Sequence, residues 1–143
     1  MGAERGINYQ EEDFVAVVKA LTNGKGADLI LDMIGGDYVA RNIESLSRDG
    51  RLVLIGVQHG PNAEVPLMPL IMKRITITGS ALRARSVQEK GMIADALKEN
   101  VWPLLEKGTV KPVIHATFPL VEASSAHALM ESSTHIGKIL LTI

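Results

Sequence analysis

Few side chains in this chain have the type and spacing that break bonds. The four histidines, His59, His115, His127 and His135, are not spaced as metal ligands, form no H-x-x-x-H pair, and have no cysteine beside them. Asp28 and Asp32 are four apart on an apolar run and share a face if that run is a strand. That spacing does not by itself make a general acid and base, and Asp32, near the end of the run, is placed to orient a turn. No Ser, His and Asp set and no phosphate loop can be argued. The chemistry that remains is that of holding a ligand. Gly35 and Gly56 each close an apolar run, and a glycine at the C-terminal end of a parallel strand lets a sugar or a flat ring approach the backbone. For Gly36 and Gly50 the plainer reading, a turn glycine with positive φ, is preferred. Tyr9 reads as a ring packed at a helix entrance with a wet hydroxyl. Arg83 and Arg85 read equally as a solvated loop pair, and Lys138 as an exposed residue at a strand start. His135 reads as exposed in a polar turn and His127 as structural within a helix.

These residues need elements to place them. Asp13 can cap a helix whose Phe14, Val17, Val18 and Leu21 form one stripe, stopped by Asn23-Gly24. A strand follows from Ala27, apolar on both faces as a covered parallel strand requires. Residues 38–47 predict a short helix with Val39, Asn42, Ile43 and Leu46 on one side. Asp49-Gly50 then turns the chain into a strand over 51–57. Gln58 to Glu64 is a loop, and 66–73 a short helix. The alternating run Ile75 to Ser80 is a third strand. Ser86 and Glu89 make a capping box for a helix carrying Ile93, Leu97, Val101, Leu104 and Leu105, bent or split by Pro103 and ended by Gly108. A strand over 113–120, a helix over 122–132 and a strand over 138–143 complete the chain. A boundary near Gly108 assigns that last β-α-β unit to a different sheet.

The chain has 143 residues, 46% of them hydrophobic, enough for an ordinary core. A net charge of -1 and 3% aromatic residues give no case for nucleic acid or an anionic membrane. No apolar run approaches the roughly 20 residues that span a bilayer. The absence of cysteine excludes disulfides and is compatible with the cytoplasm. A nucleotide-binding sheet of this kind opens with a strand, a G-x-G-x-x-G turn and a helix, and nothing of that pattern precedes Ala27.

Four stretches together resemble the medium-chain dehydrogenase/reductase superfamily, in its zinc-free, zeta-crystallin-like NADPH:quinone oxidoreductase branch. They are Gly6-Ile7-Asn8-Tyr9 with Glu12-Asp13-Phe14, Asp28 to Gly36, Gly50 to Gly56, and His135 to Leu141. Val101-Trp102-Pro103-Leu104-Leu105 and Val110-Lys111-Pro112 add to the likeness, which covers essentially the whole chain. The resemblance implies an α/β fold: a partial Rossmann domain, a doubly wound parallel sheet lacking its first two strands, plus a C-terminal β-α-β return to a GroES-like catalytic domain. The division it implies is 1–109 and 110–143. It implies that Tyr9 lies beside the adenosine 2′-phosphate of NADPH, that Gly35, Gly56 and Val57 approach the ribose and nicotinamide, that Leu82 and Arg83 contact the nicotinamide amide, and that Gly137 and Lys138 lie near the cofactor. Cofactor binding is expected to be weak without the glycine-rich turn. The implied reaction is hydride transfer from NADPH to a quinone or enone, with no catalytic residue in this chain and no activity alone. An apolar edge at the Ala27 strand and the Ile75 strand imply a homodimer or larger assembly. Two rival readings are a non-catalytic dimerisation or interaction fragment, and a small flavodoxin-like or methyltransferase-like binding domain.

Overall fold

The computed structural model describes residues 2–143, which form two compact units, residues 2–87 and residues 88–143. The first unit runs α1 (Phe14–Leu21), β1 (Ala27–Asp32), α2 (Tyr38–Ser45), β2 (Leu46–Leu54), α3 (Leu67–Lys73) and β3 (Thr76–Gly79). Asp13 caps α1, its carboxylate accepting from the Val15 N–H at 3.1 Å. Positive φ at Asn23 and Gly24 turns the chain out of that helix.

The three strands are parallel, in the order β1-β2-β3, and parallel neighbours need crossovers, which α2 and α3 supply. Register aligns Ile30 with Leu52 and Ile77 in one row, and Leu29 with Arg51 and Thr76 in the adjacent row. Adjacent rows face opposite sides. The Ile30 side carries the core: Val39 and Ile43 of α2 cluster with Leu46 and Leu52, and Leu70 of α3 packs against them with Ile30, Leu54 and Ile77. Lys73 fastens α3 to the end of α2, its Nζ donating to the Glu44 carbonyl at 3.0 Å and the Leu46 carbonyl at 2.8 Å. These are carbonyls for which a helix end has no partner of its own.

Three expectations are corrected here. Within this unit no helix covers the other side of the sheet: both crossover helices pack on the Ile30 side and leave Leu29 and Leu31 exposed. The second helix ends at Ser45, and β2 begins at Leu46, whose pairing with Ala27 precedes a register shift, and stops at Leu54. Asp49-Gly50 lies within β2 rather than turning the chain into it, and the positive φ there belongs to Asp49, not Gly50. Gly50 is small because a side chain there would stand 2.8 Å from the Ser47 carbonyl oxygen.

The second unit carries α4 (Val87–Asn100), α5 (Trp102–Glu106), β4 (Ile114–Pro119), a 3-10 turn (Leu120–Glu122), α6 (Ala123–Glu131) and β5 (Lys138–Thr142). The helix splits at Val101 as Pro103 requires, with the proline in the first turn of α5 where its missing N–H costs nothing. No residue of α4 is buried, so the stripe that begins at Ile93 and Leu97 is not a core face. Strands β4 and β5 pair in parallel as their own two-stranded sheet, with α6 packed on both.

Candidate functional site

The C-terminal ends of β1 and β2 are built from one buried carboxylate. Asp32, 4% exposed, accepts from the Ile34 N–H at 2.7 Å, the Gly35 N–H at 3.2 Å and the Asn42 amide at 3.1 Å. This folds residues 33–36 into a tight turn in which Gly35 and Gly36 take φ of +69° and +55°. The loop after β2 lies on that turn. Gln58 N–H donates to the Met33 carbonyl at 3.2 Å, and His59 N–H to the Ile34 carbonyl at 2.7 Å.

That stacking explains the glycines. A Cβ on Gly35 would stand 3.1 Å from Val57 Cα, on Gly36 2.7 Å from the His59 carbonyl oxygen, and on Gly56 3.0 Å from the Met33 carbonyl oxygen. The close approach these glycines permit is between the two loops. Gly36 has the positive φ expected of it, and Gly35 has it as well.

Tyr9 is brought to the same place by the segment ahead of α1. Asn8 accepts at its carbonyl from the N–H groups of Glu11 and Glu12 at 3.0 and 2.8 Å, and Arg5 pairs with Glu12. Helix α1 is held on α2 by Phe14 stacked on Tyr38, with centroids 5.7 Å apart, and by Arg41, whose guanidinium lies 4.3 Å over the Phe14 ring. Arg41 also bonds Asp13 at 3.0 Å. That hydrogen bond, with the one from the Val15 N–H, holds the Asp13 carboxyl below the ordinary carboxylate value. Lys25, then Ser47, does the same for Asp28.

The result is a cavity of about 390 Å³ lined by Tyr9, Ile34, Tyr38, Gln58 and His59. His59 Nδ1 lies 3.5 Å from Asp37 Oδ1, and its ring is tilted against Tyr38 at 6.3 Å. Two phenols, an amide and an imidazole around an apolar side chain can stack on a flat ring and hydrogen-bond its edge. Ile34, Tyr38, Gln58 and His59 were not singled out as ligand-facing in the sequence. Their position just past the ends of parallel strands was the available signal.

Val57 lies against Gly35. Leu82 and Arg83 follow β3 in a turn closed by the Arg85 N–H on the Leu82 carbonyl at 3.2 Å, while the Ser80 N–H bonds the Leu54 carbonyl at 2.9 Å and keeps its start beside β2. Gly137 and Lys138 belong to the second unit. Gly137 has φ of +98°, and a Cβ there would lie 2.9 Å from the Val113 carbonyl carbon, so the position admits only glycine. Lys138 N–H bonds the Val113 carbonyl at 2.7 Å. Nearby, His115 accepts at Nδ1 from the Ile136 N–H at 3.4 Å and meets His135 edge-on. His127 lines a shallow groove with Met130 and Ile139.

Among the described residues no helix is long and apolar enough to cross a membrane. The family described as zinc-binding dehydrogenase matches residues 1–141. Quinone oxidoreductase of Rattus norvegicus is 29% identical over 143 residues, covering 99% of this chain and 42% of that protein. L-threonine 3-dehydrogenase of Caldanaerobacter subterraneus is 33% identical over 148 residues, covering 99% of this chain and 39% of that protein. A solved quinone oxidoreductase of Pseudomonas syringae pv. Tomato DC3000 superposes with a TM-score of 0.77 at 26% identity, covering 99% of this chain and 43% of that one. The chain thus spans about two fifths of the length of the curated relatives it matches. The residues present do not fit zinc: the sequence has no cysteine, and no three His, Asp or Glu side chains converge among the described residues.

Proposed function

From the premise that this chain belongs to the zinc-binding dehydrogenase family of the medium-chain dehydrogenase/reductase superfamily, in its quinone oxidoreductase branch, we propose that it forms part of the cofactor site of a zinc-free, NADPH-dependent quinone oxidoreductase. The single observation that supports this most is the aromatic cavity at the C-terminal ends of β1 and β2. Ligands of open parallel sheets bind outside those ends. The cavity's volume, its two phenol rings and its Gln58 amide suit an adenosine, with the Tyr9 hydroxyl toward the 2′-phosphate.

Within the first unit, Gly35, Gly56 and Val57 then lie on the path toward the nicotinamide, with Leu82 and Arg83 adding contacts; Gly137 and Lys138 remain expectations of the resemblance. In domain terms residues 1–109 are the Rossmann half and 110–143 the return to the catalytic domain. When bound, the reduced nicotinamide supplies a hydride to a quinone or enone. In this reading the chain's residues bind and orient the cofactor, and no turnover is expected from the chain alone. In this reading the protein is cytoplasmic and self-associates through β1 or β3, the outer strands of the sheet among the described residues. Exposed Leu29 and Leu31 beside the β1 edge favour that contact and make a non-catalytic assembly the second reading.

Calorimetric titration of the purified chain with NADPH at pH 7 tests the site. Saturable binding that weakens on Tyr9→Ala, without NADPH-dependent quinone reduction, is expected. No binding at millimolar NADPH refutes the cofactor site, and turnover by the purified chain refutes the claim of inactivity.

A further inference from the structure

The chain has five asparagines, Asn8, Asn23, Asn42, Asn62 and Asn100, and Asn23 is the one followed by glycine. That pair closes α1. Thr22 is the C-cap, and Asn23 and Gly24 follow it with φ of +52° and +82°. The Gly24 N–H reaches back to the Lys19 carbonyl at 2.7 Å, and the Asn23 N–H to the Ala20 carbonyl at 3.3 Å. These are the paired bonds of a Schellman cap, with asparagine in the left-handed position that glycine usually fills. Thr22 braces the cap from behind. Its Oγ1 donates to the Val18 carbonyl at 2.7 Å and accepts from the Gly26 N–H at 2.8 Å.

From this geometry we propose that Asn23 is a site of spontaneous covalent modification, its side-chain amide converting to aspartate and isoaspartate at a rate set by the opening of the α1 cap. The nucleophile is the Gly24 main-chain nitrogen. It bonds to Asn23 Cγ and closes a succinimide ring. The Cγ–Nδ2 bond breaks, and ammonia leaves with the proton that the Gly24 nitrogen gives up. Water then opens the ring. Attack at Cγ gives aspartate, and attack at the main-chain carbonyl gives isoaspartate, with the chain running through Cγ. Nothing is oxidised or reduced, and water is the one co-reactant. Glycine favours the closure because no Cβ shields the attacking nitrogen, and the space around Gly24 is open to 4 Å. Asn23 is itself exposed, so water reaches the ring. The cap opposes the reaction, because the Gly24 nitrogen must first release the Lys19 carbonyl. Helix ends open at low cost, so the reaction runs from the frayed cap and not from the unfolded chain. Both products place a carboxylate at the negative end of the α1 dipole. Isoaspartate also lengthens the main chain between the paired bonds of the cap.

The experiment is timed incubation of the purified chain in warm, mildly alkaline buffer, with and without denaturing urea. Mass spectrometry of the asparagine-bearing peptides reads conversion of amide to acid and resolves the isoaspartate isomer. Thr22→Val removes the brace. Asn23→Gly keeps a residue suited to the left-handed position and removes the reacting amide. Circular dichroism checks that both variants fold. In the folded chain, conversion is expected at Asn23 ahead of the other four asparagines. It is expected to run about tenfold slower than in urea, the effect of a closed helix end. Thr22→Val is expected to speed it about threefold to tenfold, the net worth of one or two hydrogen bonds. Release of ammonia is expected to fall in Asn23→Gly. If Thr22→Val does not fold, urea below the unfolding transition replaces it, and the Asn23 rate is expected to rise before the circular dichroism signal falls. Equal conversion at all five asparagines overturns the site. An Asn23 rate that is the same folded and in urea, or that neither Thr22→Val nor mild urea raises, overturns control by the cap. A folded chain that stays intact at Asn23 while the urea sample converts assigns the reaction to global unfolding and overturns the proposal.

Discussion

Replacing Asp32 with alanine removes an acceptor shared by three donors. Two of these bonds, from the Gly35 N–H and the Asn42 amide, are buried, and the third, from the Ile34 N–H, is partly buried. A buried donor left without a partner costs about 1–3 kcal/mol. Taking the middle of that range for the two buried donors and less for the third gives a loss of about 5 kcal/mol. Against a typical domain stability of about 5–15 kcal/mol this is a large fraction, and at this chain length it lowers the melting temperature by about 15 °C. Asp32→Asn keeps one acceptor oxygen, and Asn42 can rotate to complement the new amide, so its cost is smaller, about 1–2 kcal/mol. Urea denaturation followed by far-ultraviolet circular dichroism gives both values. An Asp32→Ala chain within about 1 kcal/mol of wild type, with the same slope, refutes the claim that this carboxylate holds the turn. The same variant is expected to bind NADPH more weakly than its residual fold would suggest, because the turn carries Ile34 and supports His59.

Two other outcomes follow from the geometry. Gly137→Ala combines a forbidden φ with overlap on Val113, so it is expected to cost several kcal/mol, roughly the sum of strain and overpacking. A thermal melt that matches wild type would contradict it. Asp13 has a folded-state pKa below its ordinary 3.8, caused first by the Arg41 hydrogen bond and then by the Val15 N–H. A depressed carboxylate contributes stability that is present above the unfolded value and is lost as pH falls through the folded one. The stability gap between wild type and Asp13→Asn is therefore expected to stay constant from about pH 7 to 5 and to close below about pH 4. A gap undiminished at acid pH would contradict the sign.

Much of the framework was legible because local rules and tertiary packing agree. Asp13 capped the helix it precedes, Pro103 split the helix it enters, and the parallel strands lie where the apolar runs lie. The errors fall where a nonlocal choice decides. Leu29 and Leu31 have the composition of covered residues, but coverage depends on which side the crossovers take, and that is not written in the strand. The sequence leads one to expect a turn at Asp49-Gly50 with the positive φ on glycine, but both residues lie within β2 and the positive φ falls on Asp49. At the site, Asp32 was correctly read as a turn residue. The cavity itself was not legible, because Tyr9, Tyr38 and His59 meet only through the docking of α1 on α2 and of one loop on another.

The staple between the 33–36 turn and the 57–60 loop is made of main-chain groups and one carboxylate beneath them. The side chains of Gln58 and His59 contribute nothing to it. Exchange at those two positions therefore alters what the rim attracts, and the main-chain hydrogen bonds of the staple do not depend on it. A lineage built on this arrangement can explore new ligand preferences through neutral steps at the surface, and the residues that would make each step lethal lie one layer below.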